Sequence, residues 1–221
     1  MVENMREMGS ALVDPVADLA VRELYQRARL NPSRAIGAMR LAVELFGERC
    51  ICLAPARELP GPSALVWAGP HPVIHVRRGL NPRQLNHAVA HELGEWQLHV
   101  WGYHGPEAEE LAGRIGAALC VPREAFHVAH RAIGHDVAEL SRAFAVSESL
   151  MSLRIGECLG YPTALITPRR IRTRGEAWDW PTTSAGWREL AASAGAAGLM
   201  RERIGDAWRR FVLRAPRAQG K

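Results

Sequence analysis

The chain has 221 residues, 48% hydrophobic and 23% charged, with a formal net charge of +5. That length supports one or two domains with a sizeable core, and the composition excludes wholesale disorder, collagen-like repeats and low-complexity structure. Lys221 is the only lysine among 28 basic residues, so the arginine excess reads as genomic base bias and a solvated basic surface, not as a nucleic-acid footprint.

Residues 1–13 read as a ragged start, with acids among the apolar residues and no signal-peptide core. From Asp14 to about Arg29 the pattern is helical, with Val16, Leu19, Ala20, Leu24 and Ala28 near one face. Asn31-Pro32-Ser33 breaks it, a second helix follows from Ala35 to Phe46, and Gly47 ends that helix. Cys50–Leu53, Ala64–Ala68 and Val73–Arg77 are short strand candidates, the last two around Gly69-Pro70-His71-Pro72. A long helix is predicted from Pro82 to Val100, with Asn81 as N-cap and proline at the first helical position. Another runs from Glu107 to Leu119. Asp136–Phe144 and Ser147–Leu159 then form a helix pair of helix-turn-helix proportions, closed by Pro162 and Pro168.

Beyond it, Arg169–Arg174 reads as an exposed basic strand or tail, and Trp178-Asp179-Trp180-Pro181 as an aromatic clip. Met200, Ile204, Trp208, Phe211 and Val212 recur at helical spacing among arginines, which predicts a docked C-terminal helix. Cys50, Cys52, Cys120 and Cys158 form no C-x-x-C pair and read as thiols in a reducing cytoplasm. No apolar run approaches the ~18 residues that span a bilayer. The expected protein is soluble and cytoplasmic, with no membrane partner.

Chemistry concentrates in the long helix. His87, His91, Glu95 and His99 are four residues apart, and at ~100° per residue they lie on one slowly turning stripe. Two ligands at i and i+4 can grip one ion, and a glutamate directly after the first ligand then faces a water on that ion. Only the pair His91 and Glu95 encloses such a base, Glu92; His87 is followed by Ala88, and Glu95 by Trp96. His91 and His99 are two turns apart, roughly 12 Å, too far to share a tetrahedral ion. The spacing therefore selects His91 and Glu95 as metal ligands and Glu92 as general base, in an H-E-x-x-E pattern.

The wider sequence resembles the ImmA/IrrE family of metallopeptidases. The family's A-H-E-L-G-H helix stands here as Ala90-His91-Glu92-Leu93-Gly94-Glu95, with His99 following. Its E-x-x-A-N-x-F-A-A-x-L-L-M-P helix corresponds to Glu109 through Pro122, with Gly113 in place of the asparagine and Ile115 in place of the phenylalanine. Its L-A-x-x-F-x-V-S block corresponds to Leu140–Ser147, and its R-L to Arg154-Ile155. The blocks occur in family order over about residues 14–160. The resemblance implies that Glu109 is the third ligand, and that His99 is placed to orient a ligand or the bound peptide. His87 is a further such candidate, although it also reads as a packed helix histidine. His75 reads as a strand-face residue, and His104, His127, His130 and His135 as loop or helix-end residues.

The order of elements suggests an α+β fold, and with the resemblance it implies a mostly helical zincin-like peptidase domain with a small sheet at 14–134 and a helix-turn-helix-like unit at 135–174; residues 175–221 exceed the family core and read, from their spacing, as a helical extension. The resemblance implies a metal-dependent endopeptidase that cleaves an XRE-type, helix-turn-helix repressor in phage, mobile-element or stress regulation. The substrate would lie extended along an edge strand near Val73–Val76. His91, Glu95 and Glu109 would neutralise a zinc ion, where two histidines and one glutamate leave +1; less charge acidifies a bound water less, and a carboxylate-rich set leans toward manganese. Two functions stand: a working peptidase with zinc or manganese, or an impaired relative that binds a repressor or peptide. Ser147–Arg154 carries one acid and one base, a poor recognition helix, so direct DNA readout is not expected.

Overall fold

The computed structural model describes residues 14–68, 71–160, 163–166, 171–174, 199–204 and 207–213. Contacts divide these into two units, Pro15–Met151 and Ser152 onward, so the division falls inside a helix. No helix among the described residues is long and apolar enough to cross a membrane.

The first unit is α+β. Helix α1 (Pro15–Arg27) buries Ala17, Ala20, Val21 and Leu24 along one side. Helix α2 (Ala38–Phe46) begins at Gly37, which supplies no side-chain cap. The buried Asn86 side chain from a distant helix accepts the Ala38 N–H instead, at 2.7 Å. Strands β1 (Ile51–Ala54), β2 (Ser63–Ala68) and β3 (His71–Arg77) make a sheet in the order β1-β3-β2. β1 is parallel and β2 antiparallel to β3. Val73–Val76 therefore lies in the central strand, hydrogen-bonded on both sides, and cannot present the free edge expected of it. The edge strand that carries site residues is β2.

Helix α3 (Pro82–Val100) starts with reciprocal hydrogen bonds between Asn81 and Gln84, and Pro82 occupies its first turn. These meet two of the orphan donors of a helix start and fix its register. α3 packs on the sheet and on helix α4 (Ala108–Cys120), burying Val89, Leu93 and Leu98 on its own side and Ile74 and Val76 from β3. Full burial of each such side chain stabilises by about 1.5–3 kcal/mol.

Three further helices follow: α5 (Arg123–Ile133), α6 (Val137–Ala143) and α7 (Glu148–Leu159). α5 was not expected, because Pro122 reads as a stop. Pro122 stops α4 but stands at the N-cap of α5, where the missing N–H and fixed φ do no harm. His127 and His130 accordingly lie in a helix. α5 is tied to α1 by Arg123 and Asp18 at 2.7 Å.

Past α7, a four-stranded antiparallel sheet has the order β5-β4-β7-β6, from β4 (Thr163–Ile166), β5 (Ile171–Arg174), β6 (Leu199–Ile204) and β7 (Ala207–Leu213). This overturns the helical extension. Met200, Ile204, Trp208 and Phe211 fit a helical period, but Ile204 pairs with Ala207 across only Gly205 and Asp206. Gly-Asp between two apolar runs is a hairpin signal, and it outweighs the period. The aromatic clip at Trp178–Pro181, Arg169 and Arg170, and residues 1–13 lie outside the described residues.

α3 and α4 touch backbone to backbone. A methyl on Gly94 would stand 2.6 Å from the Ala112 carbonyl oxygen, and one on Gly116 would stand 2.9 Å from the His91 nitrogen. Neither neighbour is a flexible side chain that can step aside. Gly94→Ala is therefore expected to destabilise the fold by about 1–3 kcal/mol in urea unfolding, although alanine is the better helix former by about 1 kcal/mol. An unchanged or raised midpoint would show that the helices are not in backbone contact.

Candidate metal centre

The glycine contacts place the chemistry. Gly116 seats α4 on the backbone of Ala90 and His91, and Gly94 seats on Ala112. Two turns before Gly116, at the start of α4, Glu109 thus reaches the face of α3 that carries His91 and Glu95. His91 Nε2 is 3.2 Å from Glu109 Oε1 and 3.5 Å from Glu95 Oε1. One ligand atom from each of the three lies within 4.8 Å of the others, so the set can hold one metal ion. Among the described residues no other group of three histidine, cysteine or acidic side chains does so. Glu110, next in sequence, is not part of it.

Glu92 sits beside the cluster and is only 2% exposed. Its Oε1 accepts a hydrogen bond from Ser63 Oγ on β2 at 2.6 Å. Its Oε2 is buried with no hydrogen-bond donor among the described residues, although the carboxyl lies close enough to Glu95 to share a proton with it when protonated. Burial pushes the Glu92 carboxyl up to about 7, against the Ser63 hydrogen bond, which lowers it. Glu95 is held below the ordinary carboxylate range by its hydrogen bond to His91, and His91 is raised chiefly by that same contact while burial pulls it down.

One imidazole and two carboxylates suit a divalent ion such as zinc or manganese. The orphaned Glu92 oxygen fits as well, since a buried acceptor without a partner is costly unless something bound there satisfies it. The Nδ1 side of His91 is less supported. A methyl on Gly113 would be 3.9 Å from it, so the position has room for a side chain that could hydrogen-bond the ring, and glycine provides none.

The other histidines separate. His99 is exposed one turn beyond Glu95 and stacks edgewise with His104, with ring centroids 5.3 Å apart. It is not a member of the ligand group. His87 keeps an exposed surface, but burial of its ring, and then the neighbouring His91, hold its pKa below the ordinary histidine range; it lies outside the ligand group. His75 is half-buried on the central strand. Sequence reasoning missed Ser63, Trp67, Tyr103 and His104. Ser63 has no motif around it; only the packing of β2 on α3 shows that it reaches Glu92.

Residues 56–155 match the family model of the IrrE N-terminal-like domain, Peptidase_M78. The matched span includes β2, β3, α3 and α4 with the whole cluster. A transcriptional regulator of Mycobacterium tuberculosis has a similar fold, with TM-score 0.52 at 16% identity, covering 76% of this chain and 57% of that one. The chain thus spans little more than half the length of that regulator. Comparison with curated proteins finds no match.

Two predictions follow from this geometry. Glu95→Ala leaves two ligands, so purified protein should lose stoichiometric zinc or manganese by elemental analysis, while Glu95→His should retain it. Gly113→Asn, by supporting His91, should tighten the ion by up to about tenfold in a competition titration. Full metal in Glu95→Ala would remove Glu95 from the ligand set. The second concerns pH. Glu92 is raised from 4.5 to about 7 in the folded state, so its ionisation opposes folding. The cost is absent below pH 4.5, grows as pH rises, and is complete above about 7. Metal-free Glu92→Gln should therefore gain stability over wild type across that window, by on the order of 1–3 kcal/mol at pH 8. A difference that does not change with pH would mean that Glu92 is not held in its neutral form.

Proposed function

We propose that this chain is a metal-dependent endopeptidase whose substrate is a helix-turn-helix repressor of the XRE type. The observation that carries the reading is the His91, Glu95 and Glu109 cluster with a buried, orphaned carboxylate oxygen of Glu92 beside it. A metallopeptidase needs a site for a Lewis acid and a base next to it; His91, Glu95 and Glu109 offer the first and Glu92 the second. The IrrE N-terminal-like domain supports the class of reaction. The fold shared with a transcriptional regulator fits a setting in gene control.

His91, Glu95 and Glu109 would hold zinc, or manganese given two carboxylates. The ion, when bound, lowers the pKa of a coordinated water and polarises a carbonyl. Glu92 does the proton work. Ser63 binds one carboxylate oxygen and leaves the other free of a donor, and in this reading that second oxygen would take a proton from the attacking water. The same atom can return it to the leaving amine. The substrate backbone would pair along the free edge of β2, whose Ser63 already touches the base.

Direct reading of DNA is not part of this proposal. Arg154 is the only basic residue of α7, and it is buried against Glu157, which leaves that helix without a basic face for a groove.

The test is incubation of zinc- or manganese-loaded protein with a candidate XRE-type repressor, with products read by mass spectrometry. One internal cut is expected, and Glu92→Gln should reduce its rate at least about a hundredfold. Capture of the repressor without cleavage would overturn the peptidase reading and leave a binding module. Cleavage by Glu92→Gln at the wild-type rate would overturn the role of Glu92.

A further inference from the structure

We infer that the cavity beside the metal cluster is a specificity pocket for one large apolar or aromatic side chain of the substrate, with Trp67 as its selecting wall. The inference deepens the peptidase reading and rests on it for the word substrate. The binding it describes does not need the ion.

The cavity has a volume of about 450 Å³, within the range of small-molecule sites and ample for one ring. Glu95 and Glu109 stand on its wall, so it opens directly onto the cluster. Leu65, Trp67, Leu98 and Tyr103 bring apolar and aromatic groups to the rest of the lining, interleaved with polar atoms that make up about half of its surface. Its other polar walls are the imidazoles of His99 and His104. No arginine or lysine lines it, so an acidic side chain would meet two carboxylates and no counter-charge.

The wall is braced. Trp67 packs on His99 with ring centroids 5.0 Å apart at 48°, and His99 packs on His104 at 5.3 Å and 66°. Trp67 is nevertheless 47% exposed. A half-exposed indole on an edge strand, held by rings on one side only, offers its open side to an aromatic or aliphatic group.

Position along β2 ties the pocket to the reaction. Side chains alternate across a strand, so Ser63, Leu65 and Trp67 share one face. Ser63 contacts Glu92, and Leu65 and Trp67 line the cavity. One two-residue step, roughly 7 Å, separates the base's partner from the pocket wall. A substrate strand along this edge has the same rise, so a residue next to the attacked bond would place its side chain in the cavity.

The test uses blocked heptapeptides of alanine with one central residue: phenylalanine, leucine, glycine, aspartate or arginine. Each is titrated into full-length Glu92→Gln and into chelator-treated wild type, followed by the indole NMR signals, with the Trp67 signal assigned by its loss in Trp67→Phe. The phenylalanine and leucine peptides should bind at least about tenfold more tightly than the glycine and aspartate peptides and should shift Trp67. Trp67→Ala should erase that preference and leave metal content unchanged. Equal binding of all five, tightest binding of the arginine peptide, or an intact preference in Trp67→Ala would overturn the inference. A preference kept by a protein that, loaded with metal, cuts no repressor would uphold the pocket and sink the peptidase reading. Cleavage without any preference would do the reverse.

Discussion

The direct backbone contact between α3 and α4 is the constraint on which the rest depends. Helix axes usually stand 8–10 Å apart, separated by side chains. Here Gly94 meets the Ala112 carbonyl and Gly116 meets the His91 backbone, with no room for a methyl on either. Only at that separation does the side chain of Glu109, at the first turn of α4, reach the imidazole of His91. The glycines therefore act on chemistry through distance: they contribute no ligand and set where the ligands meet. A helix interior gives up about 1 kcal/mol for each glycine in place of alanine, and the loss is accepted at both contact points.

Around that contact the pairing of His91 with Glu95 favours the folded state and the buried Glu92 opposes it. Three carboxylates, Glu92, Glu95 and Glu109, crowd one imidazole, and the most buried of them has an oxygen without a partner. A structural core would replace such a group with leucine. Perturbed carboxylates beside a cavity mark a functional site far more often than a packing solution. Ser63 tempers the cost by hydrogen-bonding one oxygen of the buried acid, and so fixes the carboxyl in place. Stability and orientation are served by the same hydroxyl.

Much of this was legible in the sequence, where a local rule governed. The N-cap and Pro82 announced the start of α3. The four-residue stripe with Glu92 after His91 singled out three of the four site residues by geometry alone. Glu109 entered only through the resemblance, because its approach depends on a helix crossing and no spacing rule sets that. For the same reason Ser63, Trp67 and Tyr103 were silent: each comes to the site across a sheet edge or a loop. Strand order was equally hidden. Three short strands in sequence order β1, β2, β3 give no local sign that β3 lies in the middle, and so the edge was assigned to the wrong strand. At Met200–Phe211 two periods competed, and a two-residue Gly-Asp link decided for strands. Pro122 was read for its power to end one helix, when its position also begins the next.

The substitution of Glu95 for a histidine then takes on a different aspect when set beside Glu92. A cluster of one imidazole and two carboxylates is formally neutral around a divalent ion, which weakens its pull on a carbonyl or a water relative to a set with one more positive charge. Catalysis at such a centre leans harder on the base. In the proposed reading that base is Glu92, whose carboxyl burial pushes up to about 7 in the metal-free protein, and a carboxylate of higher pKa takes a proton more readily near neutral pH. The same second carboxylate that lowers the charge of the cluster also lies close enough to Glu92 to favour its protonated form. In the proposed reading Glu95 thus weakens the pull of the ion and strengthens the base. An H-E-x-x-E helix on this fold is consistent with working chemistry as long as Glu92 stays buried, held by Ser63 and unpaired on its second oxygen.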